Sequence, residues 1–128
     1  MAGSVDVGLY VVDVVATGAV VSNRGLKAVA VSGDGDTASI GLGQFCHAIR
    51  RRLNMVYICE NNGTYGLTKG QFSATNDRNS KSRRGMATPF ESIDLCNMAI
   101  ELGAGFVARA FSGDKKQLIP LIKAAIAY

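Results

Sequence analysis

The sequence predicts a three-layer α/β domain built on a mainly parallel sheet, and three observations carry that expectation. An apolar run, Leu26 to Ser32, feeds directly into Gly33-Asp34-Gly35-Asp36. A second apolar run, over 54–60, feeds directly into Asn61-Asn62-Gly63-Thr64-Tyr65-Gly66. Between them lies one stretch of helical periodicity. Strand, glycine-rich turn, helix, strand and loop in that order describe a right-handed crossover, so both polar loops leave the sheet side by side at its carboxyl edge.

Composition bounds the rest. A chain of 128 residues is one domain that buries roughly two thirds of its unfolded surface, and 48% hydrophobic content with 15 glycines and two prolines suits a globular α/β fold. No apolar run reaches the ~20 residues that span a bilayer, and the N-terminus lacks a signal-peptide pattern. The expectation is a cytoplasmic protein with no membrane contact. Cys46, Cys59 and Cys96 are too far apart for a C-x-x-C pair and odd in number, so they are expected to be buried thiols. The net charge of +4 is clustered at Arg50-Arg51-Arg52 and at Lys81, Arg83 and Arg84. These fit a helix end and a solvated loop, or a contact for an acidic partner or an anionic cosubstrate. No aromatic residues interleave them, which argues against nucleic acid.

Along the chain, residues 1–15 read as a small polar start and a β-branched run from Val7 that suits an edge strand. Residues 16–23 form a short helical piece, and Asn23-Arg24-Gly25 a turn. The strand 26–32 is followed by a helix over 37–53, capped by Asp36 or Thr37, with Ile40, Phe45, Ile49 and Leu53 near helical spacing. His47 falls well inside that helix, where a structural or surface role is expected. The long polar stretch 72–87 reads as a functional or mobile loop. Thr88-Pro89-Phe90-Glu91 is a helix-start pattern, Gly105 to Phe111 reads as a third central strand, and Asp114 caps a last helix over 115–127 that tolerates Pro120.

The chemistry gathers on the two loops. Asp34 offers carboxylate oxygen and Asn62 amide oxygen, hard donors that suit Mg²⁺ or Ca²⁺, and Mg²⁺ commonly arrives bridged to a phosphate or diphosphate. Gly33 and Gly35 leave no side chains in the way of a bound group.

A GDG, then residues 36–60, then NN resembles the thiamine-diphosphate motif of thiamine-dependent enzymes. The continuation NGTYGLTKGQFSAT resembles the YGxTxGQxSxT signature of the β subunit of 2-oxoacid:ferredoxin oxidoreductases, and the resemblance runs from Ala16 to Tyr128. It implies a thiamine-diphosphate-binding fold and oxidative decarboxylation of a 2-oxoacid, with acyl transfer to coenzyme A and electrons passed to ferredoxin. Asp34 and Asn62 would hold Mg²⁺ by side chain and Thr64 by its carbonyl. Gly33, Gly35, Gly66, Leu67 and Thr68 would contact the cofactor, Asp36 would cap the helix or stand behind Asp34, and Lys69 and Gln71 would lie at the reactive end. Lys69 would attract the substrate carboxylate.

Two departures qualify the expectation. The family's iron–sulfur cysteine motif and His-Gly-Arg segment do not precede Ala16-Thr17-Gly18, and the strand and cysteine-bearing tail that follow in the family are not present after Tyr128. The resemblance also implies an α-type partner supplying a second thiamine-binding domain and its glutamate. Residues 1–15 therefore read as an atypical lead-in, and 16–128 as a C-terminally truncated thiamine-diphosphate-binding domain. The alternatives are a fragment of a non-oxidative thiamine decarboxylase or synthase, which would lack YGLTKGQ, and a non-catalytic anion-binding domain.

Overall fold

The computed structural model describes residues 12–68, 70–81 and 85–128. The first helix, α1 (Val12–Ser22), leads into strand β1 (Ala28–Gly33). A π-helical turn (Gly35–Ile40) then runs into α2 (Leu42–Arg50), and β2 (Met55–Glu60) follows. A small hairpin of β3 (Thr64–Tyr65) and β4 (Gln71–Phe72) precedes α3 (Leu95–Glu101) and α4 (Lys115–Ala127). β1 and β2 pair in parallel, from Ala28 opposite Met55 to Gly33 opposite Glu60, so the expected crossover is present and both polar loops emerge at one edge.

One face of this sheet carries Ala30 and Ser32 opposite Tyr57 and Cys59. Small residues there let the helices approach closely, and Ala30 and Ser32 are buried. Phe45 of α2 meets the Tyr57 ring at a centroid distance of 5.5 Å, and Ala38, Phe45, Leu95 and Ala99 form the centre of the core. The alternate residues Val29 and Val31 stay 52% and 48% exposed, so β1 is buried on one face where the run LKAVAVS suggested burial on both.

The helix expected over 37–53 begins earlier and changes pitch. Gly41 N–H reaches back five residues to the Asp36 carbonyl at 2.6 Å, closing the π turn, and a Cβ at Gly41 would press on that same carbonyl. Neither Asp36 nor Thr37 caps it. Asp34 occupies the capping position but makes no side-chain cap bond, and Thr37 instead donates to the Gly33 carbonyl at 2.8 Å.

Four further expectations are corrected. Val12–Val15 lie in the first turn of α1 rather than in an edge strand, because packing against β1 and α2 overrides the β preference of the valines; the rest of that run, 1–11, is outside the described residues. The helix does not start at Thr88, whose amide and carbonyl are both bonded to the 79–80 backbone; it starts at Leu95, where Asp94 accepts from the amides of Cys96 and Asn97. Residues 105–111 carry no strand pairing. Ala104 and Val107 pack against the core, but a strand needs a neighbour's backbone ladder as well as an extended pattern. The three cysteines are half-buried rather than fully buried, and His47 is exposed. The capped helix after Asp114 forms as expected, with Pro120 inside it.

Candidate cofactor site

The site grows from the carboxyl ends of β1 and β2. A cleft of about 230 Å³ opens there, lined by Gly33, Asp34, Gly35 and Asp36 from one loop and by Glu60, Asn62 and Thr64 through Leu67 from the other. Asp34 is 2% exposed. Its Oδ2 accepts from the hydroxyls of Ser73 and Thr75, the latter at 2.6 Å. Among the described residues its Oδ1 is approached only by the backbone N–H of Asn62, at a long 3.4 Å.

The second loop is shaped by its asparagines. Asn61 Oδ1 accepts from the Gly63 amide, and Gly63 sits at φ 73°, where a side chain would also collide with Asn76. Asn62 Oδ1 accepts from the Thr64 amide at 2.9 Å and its hydroxyl at 3.2 Å. Ser73 N–H donates to the Gly63 carbonyl, so the hairpin alternation turns the Thr64 amide and carbonyl away from β4, toward Asn62.

Gly35 also meets the second loop directly. The Tyr65 hydroxyl donates to the Gly35 carbonyl at 2.8 Å, and a Cβ on Gly35 would fall inside the Tyr65 ring. Glycine is needed at 35 for the tyrosine. At Gly33 and Gly66, by contrast, an added Cβ would meet nothing within 4 Å, so these two leave the cleft open.

Electrostatically the cleft is acidic. Burial, and then the nearby Asp34 charge, push the Asp36 carboxyl above its ordinary range. Glu60 is exposed at the rim, and none of the described lining residues is cationic. Beneath the site, burial raises the Tyr57 hydroxyl and the Cys59 thiol, so both stay neutral in the core.

The structure thus brings Gly33, Asp34, Gly35, Asp36, Asn62, Thr64, Gly66 and Leu67 to one cleft. Thr68 lies in the adjoining turn, and Gln71 is exposed on β4 opposite Tyr65. Lys69 lies outside the described residues. Ser73, Thr75, Asn61 and Tyr65 were not singled out by sequence. Ser73 and Thr75 fall in the turn after β4, where Asn76 N–H bonds the Ser73 carbonyl, and the Ser-x-Thr-Asn composition was the available signal for a turn that gathers hydroxyls.

A strand–helix–strand unit whose two carboxyl-edge loops meet over an acidic and an amide side chain defines a cofactor-binding α/β domain. The chain belongs to the thiamine pyrophosphate enzymes, matching their C-terminal TPP-binding domain over residues 14–128. It is 43% identical over 113 residues to a 2-oxoacid:ferredoxin oxidoreductase subunit beta from Sulfolobus sp., covering 87% of this chain and 37% of that one. To the 2-oxoglutarate synthase subunit KorB of Methanocaldococcus jannaschii it is 40% identical over 115 residues, covering 87% and 42%. A solved 2-oxoglutarate:ferredoxin oxidoreductase from Magnetococcus marinus, with 2-oxoglutarate, coenzyme A and succinyl-CoA bound, superposes with a TM-score of 0.86 at 38% identity, over 91% of this chain and 40% of that one. The chain therefore spans about two fifths of the length of these relatives. The expected α/β fold and the resemblance to these β subunits are both borne out.

Proposed function

We propose that this chain forms the thiamine-diphosphate-binding part of a 2-oxoacid:ferredoxin oxidoreductase β subunit. The observation that carries the reading is the meeting of the Gly-Asp-Gly and Asn-Asn loops at one sheet edge, with Asp34 Oδ1 facing the Asn62 amide. The donor set fits the group. Asp34 Oδ1, the Asn62 amide oxygen and the outward Thr64 carbonyl are hard oxygens, and an acidic cleft accepts an anionic diphosphate only when a divalent cation bridges the two. In this reading Asp34, Asn62 and Thr64 hold Mg²⁺, and the backbone at Gly33, Gly35 and Gly66 borders the diphosphate. Leu67, 93% exposed, and Thr68 would lie against the rest of the cofactor. Asp36 stands beside Asp34 inside the first helical turn.

Bound thiamine diphosphate supplies the carbanion chemistry that releases carbon dioxide from a 2-oxoacid. The chain's own residues orient it: Lys69 attracts the substrate carboxylate and Gln71 lies at the reactive end. The acyl group then passes to coenzyme A and the electrons to ferredoxin. An α-type subunit would complete the site, and the widely spaced Cys46, Cys59 and Cys96 do not fit as a ligand set for the family's iron–sulfur cluster. A cytoplasmic setting suits these partners. Among the described residues no helix is long and apolar enough to cross a membrane.

Turnover tests the reading. The protein, purified with the subunits it assembles with, should convert a 2-oxoacid and coenzyme A to acyl-CoA while reducing ferredoxin or a viologen dye, and only with thiamine diphosphate and Mg²⁺ supplied. Release of an aldehyde without coenzyme A or an electron acceptor would favour the non-oxidative decarboxylase instead.

A further inference from the structure

We propose that Ser73 and Thr75 hold Asp34 as a one-oxygen ligand and thereby set the site's preference for Mg²⁺ over Ca²⁺. The inference rests on reading Asp34 as a metal ligand and adds two positioning residues and a selectivity to it.

Both hydroxyls are buried, Ser73 at 5% and Thr75 at 8% exposure, and both close on the same carboxylate oxygen. They lie in one turn, closed by the Asn76 amide on the Ser73 carbonyl at 3.1 Å, in which Thr75 N–H also donates to the Ser73 hydroxyl at 3.2 Å, so the two hydroxyls come together on one side. That turn is pinned from several directions. Ser73 N–H bonds the Gly63 carbonyl at 3.0 Å, Ala74 N–H bonds the Ser39 hydroxyl at 2.9 Å, Ile93 N–H bonds the Ala74 carbonyl at 2.8 Å, and the Ser92 hydroxyl bonds the Thr75 carbonyl at 2.8 Å. Thr75 Oγ1 also lies 3.0 Å from Asn61 Oδ1, a neutral acceptor that competes with the charged Asp34 oxygen at 2.6 Å for the single hydroxyl proton. The hydroxyls are therefore offered from a fixed frame, and if Oδ2 swung toward the cleft both would exchange a charge-assisted bond for a neutral one, Ser73 to Thr75 Oγ1 at 2.7 Å and Thr75 to Asn61 Oδ1 at 3.0 Å.

Asp34 then presents Oδ1 alone. Mg²⁺ demands near-octahedral geometry with single-oxygen ligands at short range, whereas Ca²⁺ takes six to eight oxygens and commonly draws both from one carboxylate. A carboxylate with one oxygen tied back satisfies the smaller ion and withholds the second contact from the larger one. Among divalent cations, selectivity is a matter of ligand number and flexibility, and the hydroxyl pair restricts both.

The test is calorimetric titration with magnesium chloride and calcium chloride, in the presence of thiamine diphosphate, on the assembled protein. Wild type is compared with Ser73→Ala, Thr75→Val, Thr75→Ser and Asp34→Ala, each first shown to unfold cooperatively. Ser73→Ala and Thr75→Val should shift the Ca²⁺-to-Mg²⁺ affinity ratio toward Ca²⁺ by about tenfold, the change expected from freeing one charge-assisted bond. Thr75→Ser, which keeps the hydroxyl, should retain the wild-type ratio. Folded Ser73→Ala and Thr75→Val proteins with an unchanged ratio would overturn the proposal while leaving Asp34 a ligand, and so would a Thr75→Ser protein that shifts as far as Thr75→Val. Metal affinity unaffected by Asp34→Ala would overturn the ligand reading as well. Thr75→Val preserves shape, so it carries the test alone where Ser73→Ala does not fold.

Discussion

Asp13 is a carboxylic acid buried in the first turn of α1, 6% exposed, with Oδ1 finding no hydrogen-bond partner among the described residues. Burial raises its pKa from 3.8 to about 6. The folded state thus holds the proton more tightly than the unfolded one, so the stability linked to that proton is fully present below pH ~4 and lost as pH rises through ~6. At neutral pH the buried charge costs on the order of 3 kcal/mol, partly offset by its place at a helix N-terminus. Asp13→Asn should therefore raise the Tm clearly at pH 7.5 and leave it nearly unchanged at pH 4. An equal change at both pH values would show that the charge is not the cause. Nothing in the valine-rich run around Asp13 marks it as buried, because its burial follows from the helix docking on β1. Asp34 and Asn62 were legible for the opposite reason: glycine turns after apolar strands are local patterns. Ser73 and Thr75 were quoted only as part of a signature, since what they bond lies 39 and 41 residues away.

At the scale of elements, the Gly-Asp-Gly turn and the hairpin interlock through Gly35 and Tyr65. Gly35→Ala should displace the Tyr65 ring and destabilise the protein by about 1–3 kcal/mol, the usual cost of overpacking. Adding Tyr65→Ala should recover part of the loss, because the ring that collides is then gone. Denaturant unfolding of the single and double variants decides this, and additive losses would contradict the contact. The strand–helix–strand unit was readable because its periodicities are strong. The misplaced helix start was not. Thr88-Pro89-Phe90-Glu91 has the local chemistry of a cap, but the Ser80 carbonyl and Asn79 amide engage the Thr88 backbone first. Residues 105–111 show the same limit, since alternation records which side chains face inward and says nothing about which backbone lies alongside.

For the whole molecule, polarity is arranged along the sheet. Asp34, Asp36 and Glu60 stand at the carboxyl edge around the cleft. Arg24 and Lys27, just before β1, and Arg50 at the end of α2 with Arg51 and Arg52 after it, are exposed at the opposite end. Large apolar side chains are also exposed, Leu67 at the cleft and Phe90 and Phe111 elsewhere. The central claim is that the two carboxyl-edge loops hold thiamine diphosphate through a divalent cation on Asp34. Calorimetric titration of thiamine diphosphate into the assembled protein, with Mg²⁺ and then with EDTA, tests it most directly when wild type is set beside Asp34→Ala. The account predicts binding by wild type only with Mg²⁺, and at least a ~100-fold loss in a folded Asp34→Ala protein, as expected when a charged ligand is removed. Equal affinity in the two proteins, or binding by wild type that persists in EDTA, would contradict it.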